Sequence, residues 1–259
     1  MISYLLTPPQ QLTQAQASGL PLAHMAFQLG ADGQLHAAAA LPPGCRGGLM
    51  LVGGGTAPET GSPQPVLQQI LRLCVQRDFR GVVLDLEGPP TPYLCKLIST
   101  LDQALEGQKR GLFLPEAYAG FSNRAFLYFS SALSGGSLQR RLAEVVGKYG
   151  KDRVVLSLHR SCEDFYLPSP QGVGHPLSQQ ELRQRMAQLE PRVFFSQDLC
   201  AHYFTYMSRE TGAHFVLFDD AVSFGKKLEL ARAAGIPRCF LLYPAVAEFL
   251  PELQGALGA

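Results

Sequence analysis

Short apolar runs alternate with amphipathic stretches along most of the chain. Residues 2–7, 20–29, 49–52, 81–85, 112–115, 124–130, 153–159 and 238–243 have the leucine-rich, β-branched or aromatic character of strands. Between them, Val66, Leu67, Ile70, Leu71 and Cys74 recur at helical spacing, as do Leu94, Leu97, Ile98 and Leu101. Ser62 and Pro63 supply an N-cap and a first-turn proline for the earlier helix. Further helices are predicted at 138–149 and 221–234, and the Asp32-Gly33 turn predicts a short return strand at 34–36. Strand and helix alternating in this way give a parallel sheet of βα units rather than a sandwich. Eight strands outside one irregular region fit a closed (β/α)8 TIM barrel, an α/β fold.

The rhythm breaks after His159. Residues 161–190 hold Pro168, Pro170, Gly172, Gly174 and Pro176 and then a polar helix. Residues 192–206 and 214–218 are strand-like, separated by Ser208-Arg209-Glu210-Thr211-Gly212. They predict a small antiparallel hairpin inserted before the last helix and strand. The chain is expected to be a single barrel domain over residues 1–259, with an insertion at about 161–218.

Composition narrows the function. With 259 residues, 46% hydrophobic and 17% charged, the chain is the size of one such barrel. A formal net charge of +1, with no charge run, gives no footprint for nucleic acid or an anionic membrane. The six cysteines form no CxxC pair and no Cys/His cluster, so core thiols are expected and neither a metal nor a cofactor is implied. The apolar start at 2–6 is too short for a signal peptide, and no segment reaches membrane-spanning length, so a soluble chain is expected. Gly53-Gly54-Gly55 lacks a following Lys-Ser/Thr and the GxGxxG spacing, which favours a strand-end turn over a phosphate cradle.

The chemistry concentrates at residues 79–87, Phe-Arg-Gly-Val-Val-Leu-Asp-Leu-Glu, which Gly88-Pro89-Pro90 stops at once. Alternate strand residues share a face, so Val83, Asp85 and Glu87 lie on one side. The pair of acids is delivered to a sheet rim, where α/β folds keep their chemistry. A merely solvated or helix-capping pair fits the same residues equally well. Glu116 and Tyr118, after the fifth strand, suit either a ligand contact or a solvated loop. Asp219 and Asp220 suit capping of the helix near Ser223, and His159 suits a structural role at a strand end. No G-x-S-x-G elbow supports a serine nucleophile.

Arg80-Gly81-Val82-Val83-Leu84-Asp85-Leu86-Glu87 resembles the fourth-strand signature Asp-Gly-apolar-Asp-apolar-Asp-any-Glu of the family 18 glycoside hydrolases, the chitinase-like (β/α)8 enzymes. The last Asp and the Glu stand at the right spacing, and the first two acids are replaced by Arg80 and Val83. Tyr203-Phe204-Thr205-Tyr206, and then His214-Phe215-Val216-Leu217-Phe218-Asp219-Asp220-Ala221-Val222-Ser223, resemble the branch associated with bacterial spore peptidoglycan hydrolysis. In that branch an aromatic strand, an acidic pair, a Ser opening the last helix and a Lys on it follow in this order, and here the Lys falls in Lys226-Lys227. Phe27 before Asp32-Gly33 resembles the family's second strand. Three departures stand out. The chain contains no Trp, and Leu242 or Tyr243 occupies the place of the family's eighth-strand Trp. Leu127-Tyr128-Phe129-Ser130 stands for Met-x-Tyr-Asp, and Leu51-Val52-Gly53-Gly54 for Ser-x-Gly-Gly.

The resemblance implies substrate-assisted retaining hydrolysis of β-linked N-acetylglucosamine-containing glycans, peptidoglycan included. By position, Glu87 is the acid/base and Asp85 the carboxylate that orients the acetamido group. Phe27, Glu116, Tyr118, Tyr128, Ser130 and Tyr243 are the candidate sugar contacts, with Tyr243 offering a stacking face in place of the missing Trp. With Val in place of an acid at position 83, Asp85 is expected to lean towards Glu87 or the substrate. The implied partner is a carbohydrate rather than nucleic acid or membrane, and the implied location cytoplasmic or spore-associated. The missing Trp and Ser130 also suit a catalytically impaired glycan-binding or structural protein on the same barrel. The enzyme reading is favoured because the acid pair remains in register.

Overall fold

The computed structural model describes residues 1–55, 57–133, 135–169 and 172–257, so Pro170 of the inserted segment lies outside the described residues. The chain begins with β1 (Ile2–Thr7), α1 (Leu12–Gln16), β2 (Leu22–Leu29) and a return strand β3 (Leu35–Ala37). It continues through β4 (Leu49–Gly53), α2 (Gln64–Gln76), β5 (Gly81–Asp85), α3 (Pro92–Gly107), β6 (Gly111–Pro115), β7 (Phe126–Ser130), α4 (Leu138–Tyr149) and β8 (Val154–Leu158). Then come β9 (Cys162–Leu167), β10 (His175–Pro176), α5 (Gln179–Leu189), β11 (Phe194–Ser196), β12 (Ala201–Ser208) and β13 (Gly212–Phe218). The chain ends with α6 (Ala221–Ala233), β14 (Arg238–Leu242), α7 (Tyr243–Val246) and α8 (Leu250–Leu257).

Eight parallel strands close into a barrel in the order β1-β2-β4-β5-β6-β7-β8-β14, with β14 pairing back to β1. β5 is thus the fourth barrel strand. Alternation along the strands builds two cores. Val82 and Leu84 face outward beneath α2 and α3, among Val66, Ile70, Leu97, Ile98 and Leu101. Val83 faces inward with Leu49, Leu51, Phe113, Val155 and Phe240. Each such fully buried apolar side chain contributes about 1.5–3 kcal/mol. Inside the barrel, Phe113 packs on Tyr4, Phe126 and Phe240 at ring-centroid distances of 6.1, 4.8 and 5.5 Å. This aromatic plug fills the barrel below its mouth.

Local structure departs from expectation in three places. Pro63, rather than Ser62, is the N-cap of α2, and Ser62 Oγ accepts from Gln64 N at 3.4 Å. A 3-10 turn, Glu116–Phe121, connects β6 to β7 where the repeat would place a helix. The insertion is larger than a hairpin: it is a five-stranded antiparallel sheet, β10-β9-β13-β12-β11, in which β12 and β13 form the predicted hairpin. β9 emerges from the segment whose prolines and glycines suggest a loop. The apolar run at 192–206 is broken by a turn at 197–200 into β11 and β12. One face of this sheet packs under α5, with Phe204, Val216 and Phe218 meeting Leu182 and Met186.

A buried ion pair closes the base of the insertion. Asp219 N donates to Ser161 O and Ser161 N to Asp219 Oδ2, both at 2.8 Å, which ties the two ends of the inserted segment together. Lys227 Nζ on α6 donates to both Asp219 oxygens at 2.7 Å, and Ser223 Oγ to Oδ1 at 2.7 Å. Asp219 and Lys227 are each 1% exposed. Asp220 is the N-cap of α6 in a capping box with Ser223. The capping role anticipated for the acidic pair therefore falls to Asp220, while Asp219 neutralises a buried lysine. Among the described residues, no helix is long and apolar enough to cross a membrane.

Candidate active site at the barrel mouth

Strand alternation carries through the end of β5. Leu84 and Leu86 are buried in the outer core, whereas Asp85 and Glu87 are exposed. Asp85 is the last residue of the strand and points into the barrel mouth. Its backbone carbonyl accepts from Gly54 N at 2.6 Å. A Cβ on Gly54 would lie 3.1 Å from Asp85 O and 3.1 Å from Leu86 Cα. Gly55, at φ 44°, passes so close to Leu29 that a Cβ would lie 2.5 Å from its carbonyl oxygen. The triple glycine is thus a strand-end turn that lets one backbone pack against another, not a phosphate cradle.

Asp85 Oδ1 accepts from the Tyr128 hydroxyl at 2.9 Å, and that hydroxyl also lies 3.1 Å from Leu84 O. Burial pushes the Tyr128 phenol far above its ordinary pKa, and the charge and hydrogen bond of Asp85 push it further. The phenol therefore stays protonated and acts as a donor. Asp85 consequently leans to Tyr128 rather than to Glu87. Glu87 follows the strand end and is close enough to Tyr128 for its charge to raise the phenol as well. Among the described residues the Glu87 side chain makes no hydrogen bond. The turn after it is anchored by Tyr118, whose hydroxyl donates to Gly88 O at 3.3 Å.

Inward-facing side chains from all eight barrel strands surround a cavity of about 380 Å³ at this mouth. Its apolar wall includes Leu6, Met25, Leu51, Val83, Phe240 and Leu242. Its polar groups are Asp85, Glu116, Tyr128, Ser130, Ser157 and His159. Arg141 holds Glu116 in an ion pair, and the same guanidinium lies 5.6 Å from the centre of the Phe129 ring. Among the described residues, no three or more His, Cys, Asp or Glu side chains are placed to hold a metal ion.

Of the anticipated sugar contacts, the structure brings Glu116, Tyr128 and Ser130 to the cavity with Asp85, and it places Phe27, Tyr118 and Tyr243 elsewhere. Phe27 follows a register shift between Met25 and Phe27 that turns it outward, edge-on to Phe79 at 6.4 Å. Tyr118 is fully buried in the outer core on the 3-10 turn. Tyr243 opens α7 instead of extending β14, so its ring packs into the helical layer and Leu242 takes the place at the rim. Glu87 is near the cavity without lining it. His159, which suggests a structural role in sequence, does line the cavity, as do Ser157, Leu6 and Met25. The period-two alternation of β8, which puts Ser157 and His159 on one face, is the signal that would have found the first two.

By sequence, no family model and no curated protein matches the chain. Among solved structures it is similar to the spore cortex-lytic enzyme SleL of Bacillus megaterium, with a TM-score of 0.68 and 14% identity over 96% of this chain and 73% of that one. It is similar to a chitinase of Chromobacterium violaceum, with a TM-score of 0.68 and 13% identity over 99% of this chain and 98% of that one. A family 18 chitinase of Cycas revoluta in complex with (GlcNAc)3 gives a TM-score of 0.65 and 14% identity over the full length of both chains. At such identities the likeness is one of fold. The chain folds as a chitinase-like (β/α)8 barrel of the kind seen in spore cortex-lytic enzymes.

Proposed function

We propose that the barrel mouth binds and cleaves β-linked glycans containing N-acetylglucosamine, peptidoglycan among them, by substrate-assisted retaining catalysis. Glu87 gives a proton to the leaving glycosidic oxygen while the substrate's acetamido carbonyl oxygen attacks the anomeric carbon and closes an oxazolinium ring. Asp85 accepts the acetamido N–H and balances the positive charge of that ring. Water, giving its proton to Glu87, then opens the ring at the anomeric carbon and restores the starting enzyme. Glu116 and Ser130 are the side chains proposed to bond sugar hydroxyls.

The observation that carries this reading is the Tyr128–Asp85 hydrogen bond of 2.9 Å inside the cavity, with Glu87 two residues beyond, near enough for its charge to act on Tyr128. Because Tyr128 occupies Oδ1, Oδ2 is left to accept the acetamido N–H. The fold shared with a chitinase that holds (GlcNAc)3 and with spore cortex-lytic enzymes supports the same substrate class. The test is release of reducing ends from N-acetylglucosamine oligomers and from purified peptidoglycan, with product anomers followed by NMR. New reducing ends, appearing first as the β-anomer, are expected. If neither glycan is bound or cleaved, the reading fails.

One observation favours a second reading. Glu87 does not line the cavity, and a barrel with its proton donor set aside would bind glycan without turning it over. Binding of the oligomers with no new reducing ends selects that reading.

A further inference from the structure

The barrel mouth is more apolar than a sugar requires. Its apolar surface is that of Leu6, Met25 and Leu242, each half-buried, over a floor of Leu51, Val83 and Phe240, which are buried. The aromatic plug closes it underneath, with Phe240 belonging to both. A pyranose ring placed there would bury hydroxyl groups against mostly apolar side chains, Ser157 aside, at a cost for each left unpaired. A hydrocarbon chain carries no such penalty and gains about fourfold in affinity for each methylene buried.

Most polar groups sit at the strand ends, with Ser157 lower down, level with Phe240. Asp85 sits where β5 ends, with Oδ1 held by Tyr128 and Oδ2 accepting no hydrogen bond among the described residues. A ligand that fits has an N–H donor at Asp85 and an alkyl group laid over the apolar floor of the mouth. The volume, about 380 Å³, lies within the range of pockets that take drug-sized ligands. At roughly 30 Å³ per water-sized group, it has room for on the order of ten such groups. An acetyl methyl would leave most of it empty.

Resting on the glycan reading above, we infer that this cavity is an acyl-chain pocket. The ligand is a 2-amino sugar whose nitrogen carries a medium-length fatty acyl group instead of acetyl. The amide N–H donates to Asp85, the chain packs on Leu6, Met25 and Leu242, and the sugar stays at the rim beside Ser130 and His159.

The test is calorimetric titration of the intact protein with N-acetyl-, N-butanoyl-, N-hexanoyl- and N-octanoylglucosamine, with N-acetylglucosamine oligomers and octanoic acid in parallel. Affinity is expected to rise about fourfold per methylene along the series. Leu6→Phe and Met25→Phe, each checked for folding by thermal melting, are expected to flatten that rise by filling the cavity. Oligomer binding with no gain along the acyl series overturns the inference and leaves the glycan reading standing. Octanoic acid binding as tightly as N-octanoylglucosamine also overturns it, because sugar and amide would then contribute nothing. Failure of both the oligomers and the acyl series overturns the inference together with the reading it rests on.

Discussion

The Tyr128 hydroxyl donates to Asp85 Oδ1 at 2.9 Å, linking the fourth and sixth barrel strands across the mouth. The bond fixes which carboxylate oxygen faces a ligand, and a phenol held well above its ordinary pKa remains a donor throughout the neutral range. Tyr128→Phe removes a hydrogen bond to a charged group, worth about 1.5–3 kcal/mol. Glycan turnover by this variant is expected to fall about ten- to a hundredfold in kcat, and the melting temperature by a few degrees. Steady-state kinetics on N-acetylglucosamine oligomers, paired with a melting curve, checks this.

Gly54 lies against the backbone of Asp85 and Leu86. A methyl group there must displace the end of β5, because its neighbours at 3.1 Å are backbone atoms of that strand end. Gly54→Ala is expected to lower kcat about tenfold through a shift of Asp85 by a few tenths of an ångström. The circular dichroism spectrum is expected to stay that of the wild type.

Lys227 and Asp219 form a buried pair that also receives Ser161 N and Ser223 Oγ. Removing one partner leaves an unpaired buried charge, so Lys227→Met is expected to cost about 3–5 kcal/mol. The double variant Lys227→Met/Asp219→Leu recovers only part of this, because Ser161 N then loses its acceptor and Ser223 Oγ keeps only Asp220 O. Urea unfolding of the wild type and the two variants measures both effects.

His24 is 2% exposed, 3.4 Å from Cys45 Sγ through Nδ1 and 5.6 Å from Phe79 between ring centres. Burial holds its pKa below the ordinary 6.5, and the hydrogen bond to Gly47 opposes this in part. The unfolded chain therefore takes up this proton at a higher pH than the folded one. Stability from this group is complete above the unfolded value and is lost as pH falls towards the folded value. The melting temperature is expected to drop between about pH 7 and about pH 5.5, and to drop less in His24→Gln. Parallel thermal scans at the two pH values decide it.

The barrel was legible because βα units repeat a pattern of two periods that both leave marks in sequence. Asp85 and Tyr128 were legible for the same reason: each sits on a regular strand, where counting by two gives the face. Phe27, Tyr118 and Tyr243 were not, and in each the regularity fails locally. A bulge intervenes before Phe27, a 3-10 turn carries Tyr118, and a helix begins at Tyr243. The inserted sheet was half legible. Its hairpin carries alternating aromatic residues, whereas β9, Cys-Glu-Asp-Phe-Tyr-Leu, puts two acids in a strand and stands before a proline-rich run. Asp164 on it is tolerated because, fully buried, it pairs with Arg185 and His214 and accepts from Tyr206, groups far along the chain that no local pattern reveals. The acyl-sized cavity has no sequence signal of its own, since it depends on which residues of eight strands meet at one height.

The most direct measurement compares glycan cleavage by the wild type and by Glu87→Gln, an isosteric change at an exposed position that leaves the fold intact. The account predicts that the wild type releases reducing ends from N-acetylglucosamine oligomers and that Glu87→Gln loses at least a hundredfold of that rate, about 2.7 kcal/mol of transition-state stabilisation, while still binding them. Equal rates in the two proteins would remove Glu87 from the mechanism and contradict the central claim.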